Sequence, residues 1–385
     1  MKEGKSVGGG RSRVTYGFNA LRLQGERFGI GRYIEYILKH WGELLRPDER
    51  VVVYVREPWD KSSIGLSEAF EVRVLSSRLD GVWWENFVLA RRWRDTDVLF
   101  CPSYTVPLLY RGRLVVATHS VNEIVPGAHP WWYHVTHRLR YQVSARRADA
   151  VIVPTQSARA DVERFYGISP GKIDVVPEGV EDDFAPLEDE EVLRETRVRY
   201  LGDDSPYILF VGKFSHRRNI PALVTAFAEV KRQNRIPHKL LLFGKNVHNL
   251  PIGQMAANLG VGDSVIELDV SLPTHRDIIP IYSAADLFVH PTAYEGFSLT
   301  ICEAMACGAP VITIGRGAVA EIVDGAALTI DDPQPAKLAA AIRTALEDPV
   351  LRASLRAKAI ERSKLFRFSE CARGTLEVLR RVAGS

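Results

Sequence analysis

The sequence predicts an α/β protein with two doubly wound domains, and two observations lead to that fold class. Short β-branched runs alternate along the chain with longer stretches of helical period, which is typical of parallel sheets covered by helices on both faces. These runs also fall into two sets, separated by a stretch rich in proline and acidic residues at 177–191. Two sets of strands imply two sheets, and we expect their ligand-binding edges to face a central cleft.

The predicted strands are short apolar runs. They read VVVYV, VLFC, LVVATH, AVIVPT and IDVVPE in the first half, then YILFVG, KLLLFG, VIELD, LFVHP and PVITI. We place the domain boundary near residue 185, which gives an N-terminal domain at 1–185 and a C-terminal domain at 186–365. The last helix, within 366–385, has an apolar face, and we expect it to pack back on the N-terminal domain.

Composition narrows the function classes. The chain has 385 residues, 46% hydrophobic and 25% charged, which is ordinary for a globular protein with a large core. No run of about 18 uncharged apolar residues occurs, and the start lacks the apolar stretch of a signal peptide, so we expect a cytoplasmic location. Residues 1–180 carry a net charge of +6 and the remainder −3. The N-terminal half is therefore the expected partner of anionic material, either an acidic substrate or a membrane surface.

The segment TAYEGFS, residues 292–298, lies between a predicted strand and a predicted helix, at the ligand-binding edge of its sheet. Gly296 permits a close backbone approach, and Ser298 suits the N-cap position. The N–H groups of Phe297, Ser298 and Leu299 would be free at the helix start, where the dipole favours an anion. This pattern predicts a phosphate site.

Two glutamates flank that site. Glu303 would lie one turn into the helix, where it can accept hydrogen bonds from vicinal hydroxyls such as those of a ribose. Glu295 lies in the loop and can reach hydroxyls of a group beyond the phosphate. The spacing brackets a diphosphate between two polyols, as in a nucleotide sugar. The alternative is a capped helix with two solvated carboxylates, although the helix LTICEAMAC is otherwise apolar.

A basic loop in the same half points to the same ligand. Lys213, Arg217 and Arg218 follow the strand YILFVG, just before a helix that we expect Asn219 to cap. Cations at this edge can meet a diphosphate through charge-assisted hydrogen bonds of about 1.5–3 kcal/mol each. A solvated basic loop is the alternative.

With these residues the chain resembles the retaining glycosyltransferases of family 4, which have the GT-B fold of two Rossmann-like domains. The run YEGFSLTICEAMACGAPVI resembles that family's E-x7-E signature, with Glu295 and Glu303 as the two acids. FVGKFSHRRNIPALVTAF resembles its diphosphate loop. FGIGRYIEYIL is similar to its glycine loop, here Gly29 and Gly31, and ATHSVNEI to the strand that carries the active-site histidine, here His119.

The resemblance implies a role for each of these residues. Lys213 and Arg218 would neutralise the leaving diphosphate, Glu303 would hold the ribose, Glu295 the donor sugar, and His119 would contact sugar or acceptor. No protein nucleophile, metal or other cofactor is expected, because the two cations take the place of a metal. The implied donor-binding set is Gly29, Gly31, Lys213, Arg218, Glu295, Gly296, Phe297, Ser298, Leu299 and Glu303.

The resemblance also implies an acceptor-side N-terminal domain and a C-terminal domain that binds the nucleotide sugar. It favours transfer of a hexose from a UDP-sugar, with GDP-mannose as the alternative, to a glycan, glycolipid or small-molecule hydroxyl, as in polysaccharide biosynthesis. Lys213 and Arg218 exchange the family's usual cation types, and Thr300 and Asp269 replace a frequent proline and glycine. A nucleotide-sugar epimerase and a non-catalytic nucleotide-sugar-binding protein remain as alternatives. No nucleic-acid partner is expected.

Two aromatic and basic stretches lie in the positive half, GVWWENFVLARRWR and PGAHPWWYHVTHRLRYQ. They are either helix faces of the core or surfaces that contact an anionic bilayer carrying a lipid-linked acceptor. Peripheral membrane contact through the N-terminal domain is therefore one of two open interpretations.

Overall fold

The computed structural model describes residues 13–23, 29–125, 131–270, 272 and 274–384. Within them the chain forms two parallel sheets, of seven and six strands, each flanked by helices. This confirms the predicted fold class of two Rossmann-like α/β units.

The first sheet has the strand order β3-β2-β1-β4-β5-β6-β7. Its strands are β1 (Val14–Asn19), β2 (Glu49–Val55), β3 (Phe70–Val74), β4 (Val98–Cys101), β5 (Arg113–Ala117), β6 (Ala150–Val153) and β7 (Ile173–Val175). The sequence analysis missed β1 and β3. Strand β1 occupies the middle of the sheet, but Gly17 interrupts its apolar run. A Cβ at Gly17 would lie 2.9 Å from Leu99 Cδ1, so close packing against the neighbouring strand requires the glycine.

The second sheet has the order β10-β9-β8-β11-β12-β13. Its strands are β8 (Tyr207–Val211), β9 (Lys239–Phe243), β10 (Val265–Leu268), β11 (Leu287–His290), β12 (Val311–Ile314) and β13 (Leu328–Ile330). Only β13 was missed in this sheet, and at three residues it is too short to show a period. All strand pairs of both sheets are parallel.

Helices connect the strands and cover both sheets. Those of the first part are α1 (Ile30–Leu44), α2 (Gly81–Phe87), α3 (Trp131–Arg147) and α4 (Gln156–Tyr166). Those that follow are α5 (Glu190–Leu201), α6 (Ile220–Asn234), α7 (Ile252–Asn258), α8 (Ile279–Ser283), α9 (Leu299–Ala306), α10 (Gly317–Val323), α11 (Pro335–Glu347), α12 (Pro349–Ser363) and α13 (Phe368–Ala383). None of the helices in the described ranges is long and apolar enough to cross a bilayer.

The last helix lies against the first domain. Trp41 Nε1 of α1 donates a hydrogen bond to the carbonyl oxygen of Ala372 in α13 at 2.9 Å. Arg380 of α13 forms two hydrogen bonds with the buried Glu49 carboxylate, at 2.8 and 2.7 Å. These contacts hold the C-terminal helix to the N-terminal sheet.

The chain crosses between the two sheets twice, and the crossings lie side by side. Val180, in the first crossing, forms a parallel bridge with Arg367 in the second. Its N–H donates to Phe366 O at 3.1 Å, and its carbonyl accepts from Phe368 N at 3.2 Å. The two crossings are therefore hydrogen-bonded to each other.

The strand order reverses once in each sheet. In the second sheet the reversal falls between β8 and β11, so the loops that leave these strands open a crevice at their carboxyl ends. The loops are residues 212–219, the basic loop, and 291–298, the loop of TAYEGFS. The fold thus brings together the two segments that the sequence singled out.

Candidate active site

The Glu295 carboxylate is almost buried, and its polar neighbours come from its own domain. Arg217 Nη1 lies 2.7 Å from its Oε1, Thr292 Oγ1 3.3 Å, Arg218 Nε 3.6 Å and His290 Nε2 3.7 Å. Burial alone would raise the pKa of Glu295, but Arg217 and the neighbouring cations outweigh it and lower the pKa well below the ordinary range. Glu295 is therefore an anion at neutral pH.

The basic loop and the TAYEGFS loop are joined by two hydrogen bonds, one between backbone groups and one from a side chain. Ala293 N donates to Arg217 O at 2.9 Å, and Asn219 Nδ2 donates to Pro291 O at 2.8 Å. Asn219 does stand at the N-cap of α6, but its side chain makes no capping hydrogen bond. It has a left-handed backbone and bridges the two loops instead, which corrects the expected capping role.

The three cations of the basic loop have different surroundings. Lys213 is exposed at the mouth of the crevice. Arg218 is largely buried: its Nη1 donates to Lys213 O at 3.2 Å, while its Nε has no hydrogen-bond partner among the described residues. Burial lowers the pKa of Arg218. Arg217, to which the resemblance assigned no role, makes the shortest contact with Glu295.

His290 is the last residue of β11 and is completely buried beneath Glu295. Its ring stacks between Phe210 and Phe288, with centroids 5.3 and 5.7 Å away. Neither ring nitrogen has a hydrogen-bond partner in the described part of the chain, and Nε2 is aimed at Glu295. Burial lowers the pKa of His290 to about 4. The imidazole is therefore neutral at neutral pH. The sequence analysis treated this residue only as the end of an apolar strand.

The Glu303 carboxylate lies in α9 and is buried. Arg32 Nη1 is 2.7 Å from its Oε1, His275 Nε2 is 2.9 Å from the same oxygen, and Tyr282 OH donates to Oε2 at 2.9 Å. Burial would raise the pKa of Glu303, but Arg32 and His275 outweigh it and lower the pKa to about 2. The Glu303 carboxylate is therefore not solvated, contrary to the alternative interpretation of a capped helix with two solvated carboxylates.

Arg32 reaches Glu303 from the other domain. It lies in the first turn of α1, directly after Gly31, and also contacts His275. Gly29 stands at the N-cap of α1 with φ +35°, and Gly31 is buried in the first turn. The rest of the glycine loop falls at residues 24–28, outside the described residues. Sequence reasoning missed Arg32, and its position beside the two glycines was the signal.

His119 is half-buried behind the cleft, with both ring nitrogens engaged. Nδ1 lies 2.7 Å from Glu178 Oε1 and Nε2 lies 2.7 Å from Pro102 O. Burial lowers the pKa of His119, but the Glu178 carboxylate outweighs it and the pKa is raised. Because both partners are acceptors, only the imidazolium satisfies both. His119 thus forms an ion pair with Glu178 in the N-terminal wall.

Gly296 lies at one of the points where the two domains touch. A Cβ at this position would lie 1.8 Å from His119 O. Thr155 Oγ1 donates to Gly296 O at 3.0 Å, and Tyr294 OH donates to Asp161 at 2.8 Å. The sequence predicted a close approach by a ligand, whereas in the structure protein backbone from the other domain makes it.

The start of α9 has the geometry of an anion site. Ser298 stands at the N-cap, but its side chain makes no capping hydrogen bond and contacts Thr300 Oγ1 at 3.4 Å. Within the described ranges, no group accepts a hydrogen bond from the N–H groups of Phe297, Ser298 or Leu299. They are available to a ligand.

A cavity of about 870 Å³ lies between the domains beside this site. Its lining includes Arg32 and Lys39 from α1, and Lys213, Lys245 and Glu303 from the C-terminal part. Its volume is in the range of small-molecule sites. Among the residues that the structure describes, no cluster of His, Cys, Asp or Glu could hold a metal ion.

Two family models match the chain. One, described as Glycosyltransferase Family 4, matches residues 29–184, and one described as Glycosyl transferases group 1 matches residues 194–364. The chain belongs to the GT-B glycosyltransferases of the family 4 type. The predicted family is therefore confirmed, with the two matched regions falling on the two sheets of this glycosyltransferase fold.

Curated relatives of this GT-B glycosyltransferase include enzymes with two different names. The chain is 30% identical to the D-inositol 3-phosphate glycosyltransferase of Kineococcus radiotolerans over 257 residues, which cover 61% of the chain and 58% of that relative. It is 26% identical to the O-antigen chain mannosyltransferase B of Escherichia coli over 252 residues, which cover 63% of the chain and 65% of that relative. The match thus spans less than two thirds of either relative.

Solved structures show the same fold over nearly the whole chain. The sucrose-phosphate synthase of Thermosynechococcus elongatus aligns with a TM-score of 0.77 and 21% identity, covering 97% of this chain and 100% of that one. Anabaena HepE, in complex with UDP and glucose, aligns with a TM-score of 0.77 and 19% identity, covering 96% of this chain and 100% of that one. At these identities the likeness concerns the fold.

Proposed function

We propose that this chain is a metal-independent, retaining hexosyltransferase. Its donor is a nucleoside-diphosphate sugar, and its acceptor is a hydroxyl group of a glycan, glycolipid or small molecule. The observation that carries this proposal is the pair of ionised carboxylates, Glu295 and Glu303, on either side of the start of α9. They lie at the strand-order reversal, where open α/β sheets bind their ligands.

Glu303 and the start of α9 hold the nucleotide part. A ribose diol donates to the Glu303 carboxylate, and the diphosphate lies on the N–H groups of residues 297–299, where the helix dipole favours negative charge. Lys213 and Arg218 add positive charge beside it, because both belong to the loop that adjoins this helix. These two cations take the role that a metal ion has in other sugar transferases.

Glu295 orients the donor sugar. Its contacts with Arg217, Thr292, Arg218 and His290 all converge on Oε1, so Oε2 is the oxygen that can accept from a sugar hydroxyl. A carboxylate fixed by several donors keeps one orientation, and fixed orientation is a large part of enzymatic rate enhancement.

The transfer requires no protein nucleophile. The bond between the sugar C1 and the phosphate oxygen breaks, and its electron pair stays on the diphosphate. The acceptor oxygen attacks C1 on the same face, and its proton passes to the departing phosphate oxygen. The protein stabilises the charge on the leaving group, through Lys213, Arg218 and the N–H groups at the start of α9. The ion pair of His119 and Glu178 lies on the opposite wall.

A UDP-sugar is the favoured donor, and GDP-mannose is the alternative. The Anabaena neighbour in complex with UDP and glucose supports the first, and the relative named a mannosyltransferase supports mannose as the hexose. A thermal-shift panel of UDP, GDP, ADP and TDP distinguishes the bases, because a ligand that binds the folded state raises its melting temperature by mass action. The base with the largest shift identifies the donor class.

Two substitutions test the assignment of the carboxylates. Glu303→Ala should abolish most of the nucleotide-induced thermal shift, because the ribose loses its acceptor. Glu295→Ala should keep that shift and lose most transfer, because the sugar loses its orientation. Glu191→Ala is the matched control: its carboxylate lies on α5 in an exposed pair with Arg194.

Full activity in both variants would contradict the proposal. Conversion of one sugar nucleotide into another without an acceptor would favour an epimerase. Tight nucleotide binding without any donor turnover, for every donor and acceptor tried, would favour a binding protein.

A further inference from the structure

Helix α3 exposes a row of large apolar side chains to solvent. Trp132, Val135 and Leu139 are 53%, 60% and 61% exposed. Their spacing of three and four residues places them on one face of the helix. A surface helix normally turns such a face towards the core, and an exposed apolar row indicates an interaction site. We call these three residues the α3 row.

The same helix is basic and has no acidic side chain. Its arginines are Arg138, Arg140, Arg146 and Arg147. Arg146 and Arg147 donate to the backbone oxygens of Tyr166 and Tyr110, so they are tied to the domain. Arg138 is exposed beside the α3 row. A partner of this face must therefore be apolar and anionic together.

A neighbouring element has the same character. Trp83 and Phe87 of α2 are exposed and stack on each other, with centroids 5.8 Å apart. Asn86 of α2 accepts from Leu108 N at 2.8 Å, and Ser144 of α3 lies 3.3 Å from Val106 N. Both helices thus border one segment, which itself exposes leucines at 108 and 109. The apolar exposure extends beyond a single helix.

We infer that this face of the N-terminal domain docks on the anionic surface of a lipid bilayer. Tryptophan and leucine enter the interface between headgroups and acyl chains, while arginine pairs with lipid phosphates. A second copy of the chain fits poorly, because a two-fold contact would set Arg138 and its basic neighbours against the same residues. The net charge of +6 in residues 1–180 adds long-range attraction to an anionic surface.

Docking also specifies the acceptor, and this step rests on the proposed function. Tyr141 of α3 stacks on Tyr104, with centroids 4.8 Å apart, and the Tyr104 ring lies 5.5 Å from that of His119. The docking helix therefore packs, through one aromatic residue, against the N-terminal wall of the cleft. A bilayer on α3 supplies an acceptor whose hydroxyl is carried on a lipid.

Flotation with vesicles tests the docking surface. We expect the full chain to float with phosphatidylcholine vesicles that contain phosphatidylglycerol, at low salt, and to stay behind with phosphatidylcholine alone or at high salt. The double variant Trp132→Ser, Leu139→Ser should bind at least tenfold more weakly, and Arg138→Gln should lose part of the binding. Val350→Ser, on α12, is the control, since that valine is 77% exposed and should not matter.

The inference is overturned if the wild-type chain fails to float at low salt, or if the double variant floats like the wild type. It is also overturned if the double variant converts a dimer into a monomer in gel filtration, which would assign the α3 row to a second copy. Nucleotide-induced thermal shifts should be equal in all variants. Flotation without turnover of any sugar nucleotide would reject the proposed function and leave the docking surface standing.

Discussion

The two glutamates of the site differ in where their partners come from. Glu295 is held entirely by its own domain, through Arg217, Arg218 and His290. Glu303 also has partners on its own side, but its closest cation, Arg32, lies in the other domain. The surroundings of Glu295 are therefore independent of how closely the domains approach, whereas those of Glu303 depend on it.

This difference indicates a division of labour. A carboxylate that orients a reacting sugar has to be fixed before the substrate arrives, which is the situation of Glu295. A carboxylate that pairs across the cleft exchanges one partner for another when a ligand enters. In the structure Glu303 Oε1 is occupied by Arg32 and His275, so a ribose hydroxyl has to compete with them for this oxygen.

The largest expected effect comes from keeping the domains apart. In Gly296→Ala the new Cβ would collide with His119 O, so the loop of Glu295 cannot meet the N-terminal wall. Transfer should fall by about 100-fold, as expected for a misplacement of about 1 Å. The nucleotide-induced thermal shift should persist, because Glu303 and the start of α9 stay within one domain, and separation from Arg32 leaves Glu303 Oε1 to the ribose. Steady-state kinetics and thermal shift measure both effects.

Gly171→Ala is the control, since a Cβ there meets no atom within 4 Å. A wild-type rate of transfer in Gly296→Ala would show that the contact between the domains has no part in catalysis. The proposed division of labour between Glu295 and Glu303 would then be rejected.

An intermediate effect is expected at His290, which we regard as a positioning residue for Glu295. His290→Phe keeps the ring stack but removes the N–H aimed at the carboxylate. The kcat should fall by up to about tenfold, because Glu295 loses the ring nitrogen that lies 3.7 Å from its Oε1, with nucleotide binding unchanged. The melting temperature should not fall, because a buried polar group without a partner is removed.

His290→Asn separates positioning from packing, because it restores an N–H donor in a smaller side chain and should recover part of kcat. If His290→Phe turns over like the wild type, the imidazole serves only to fill space.

The smallest effect is expected at Arg32 and is visible in the pH dependence of stability. The folded-state pKa of Glu303 is about 2, below its ordinary 4.5. Its ionisation therefore stabilises the fold above pH 4.5, and this contribution is lost as the pH falls towards 2. Arg32→Gln should raise that pKa and weaken the contribution. The gap in melting temperature between wild type and variant should thus narrow on acidification.

Arg194→Gln, which breaks an exposed pair within α5, serves as the control and should show a much smaller gap. A gap for Arg32→Gln that is constant with pH would mean that Arg32 does not hold Glu303 as a carboxylate.

The sequence predicted the fold and the two loops of the second sheet well, because their signals are local. Runs such as YILFVG are short and continuously apolar, which identifies them as buried strands. The strand order then brings the carboxyl ends of β8 and β11 together. The strand β1 was missed because Gly17 interrupts its apolar run. This glycine is required by close packing against Leu99, a residue that is distant in sequence. Local patterns do not report such packing.

The same limit applies to the site. Two neighbours of these acids that were not predicted from the sequence are Arg32 and His290. Arg32 reaches Glu303 across the cleft, and His290 lies beneath the loop of Glu295. His119 was identified from the family resemblance of its strand, but its partner Glu178 lies 59 residues away in the sequence. Long-range pairing decides the charge state of each group, and no single stretch of sequence contains it.

The paired crossings at Val180 and Arg367 have a mechanical consequence. Two chain segments that are hydrogen-bonded to each other cannot move separately, so a rotation of one domain against the other would have to turn about an axis through both crossings. Rotation about that axis would separate Gly296 from His119 and Glu303 from Arg32 in a single movement. Entry of one ligand and release of another would then be coupled through the paired crossings.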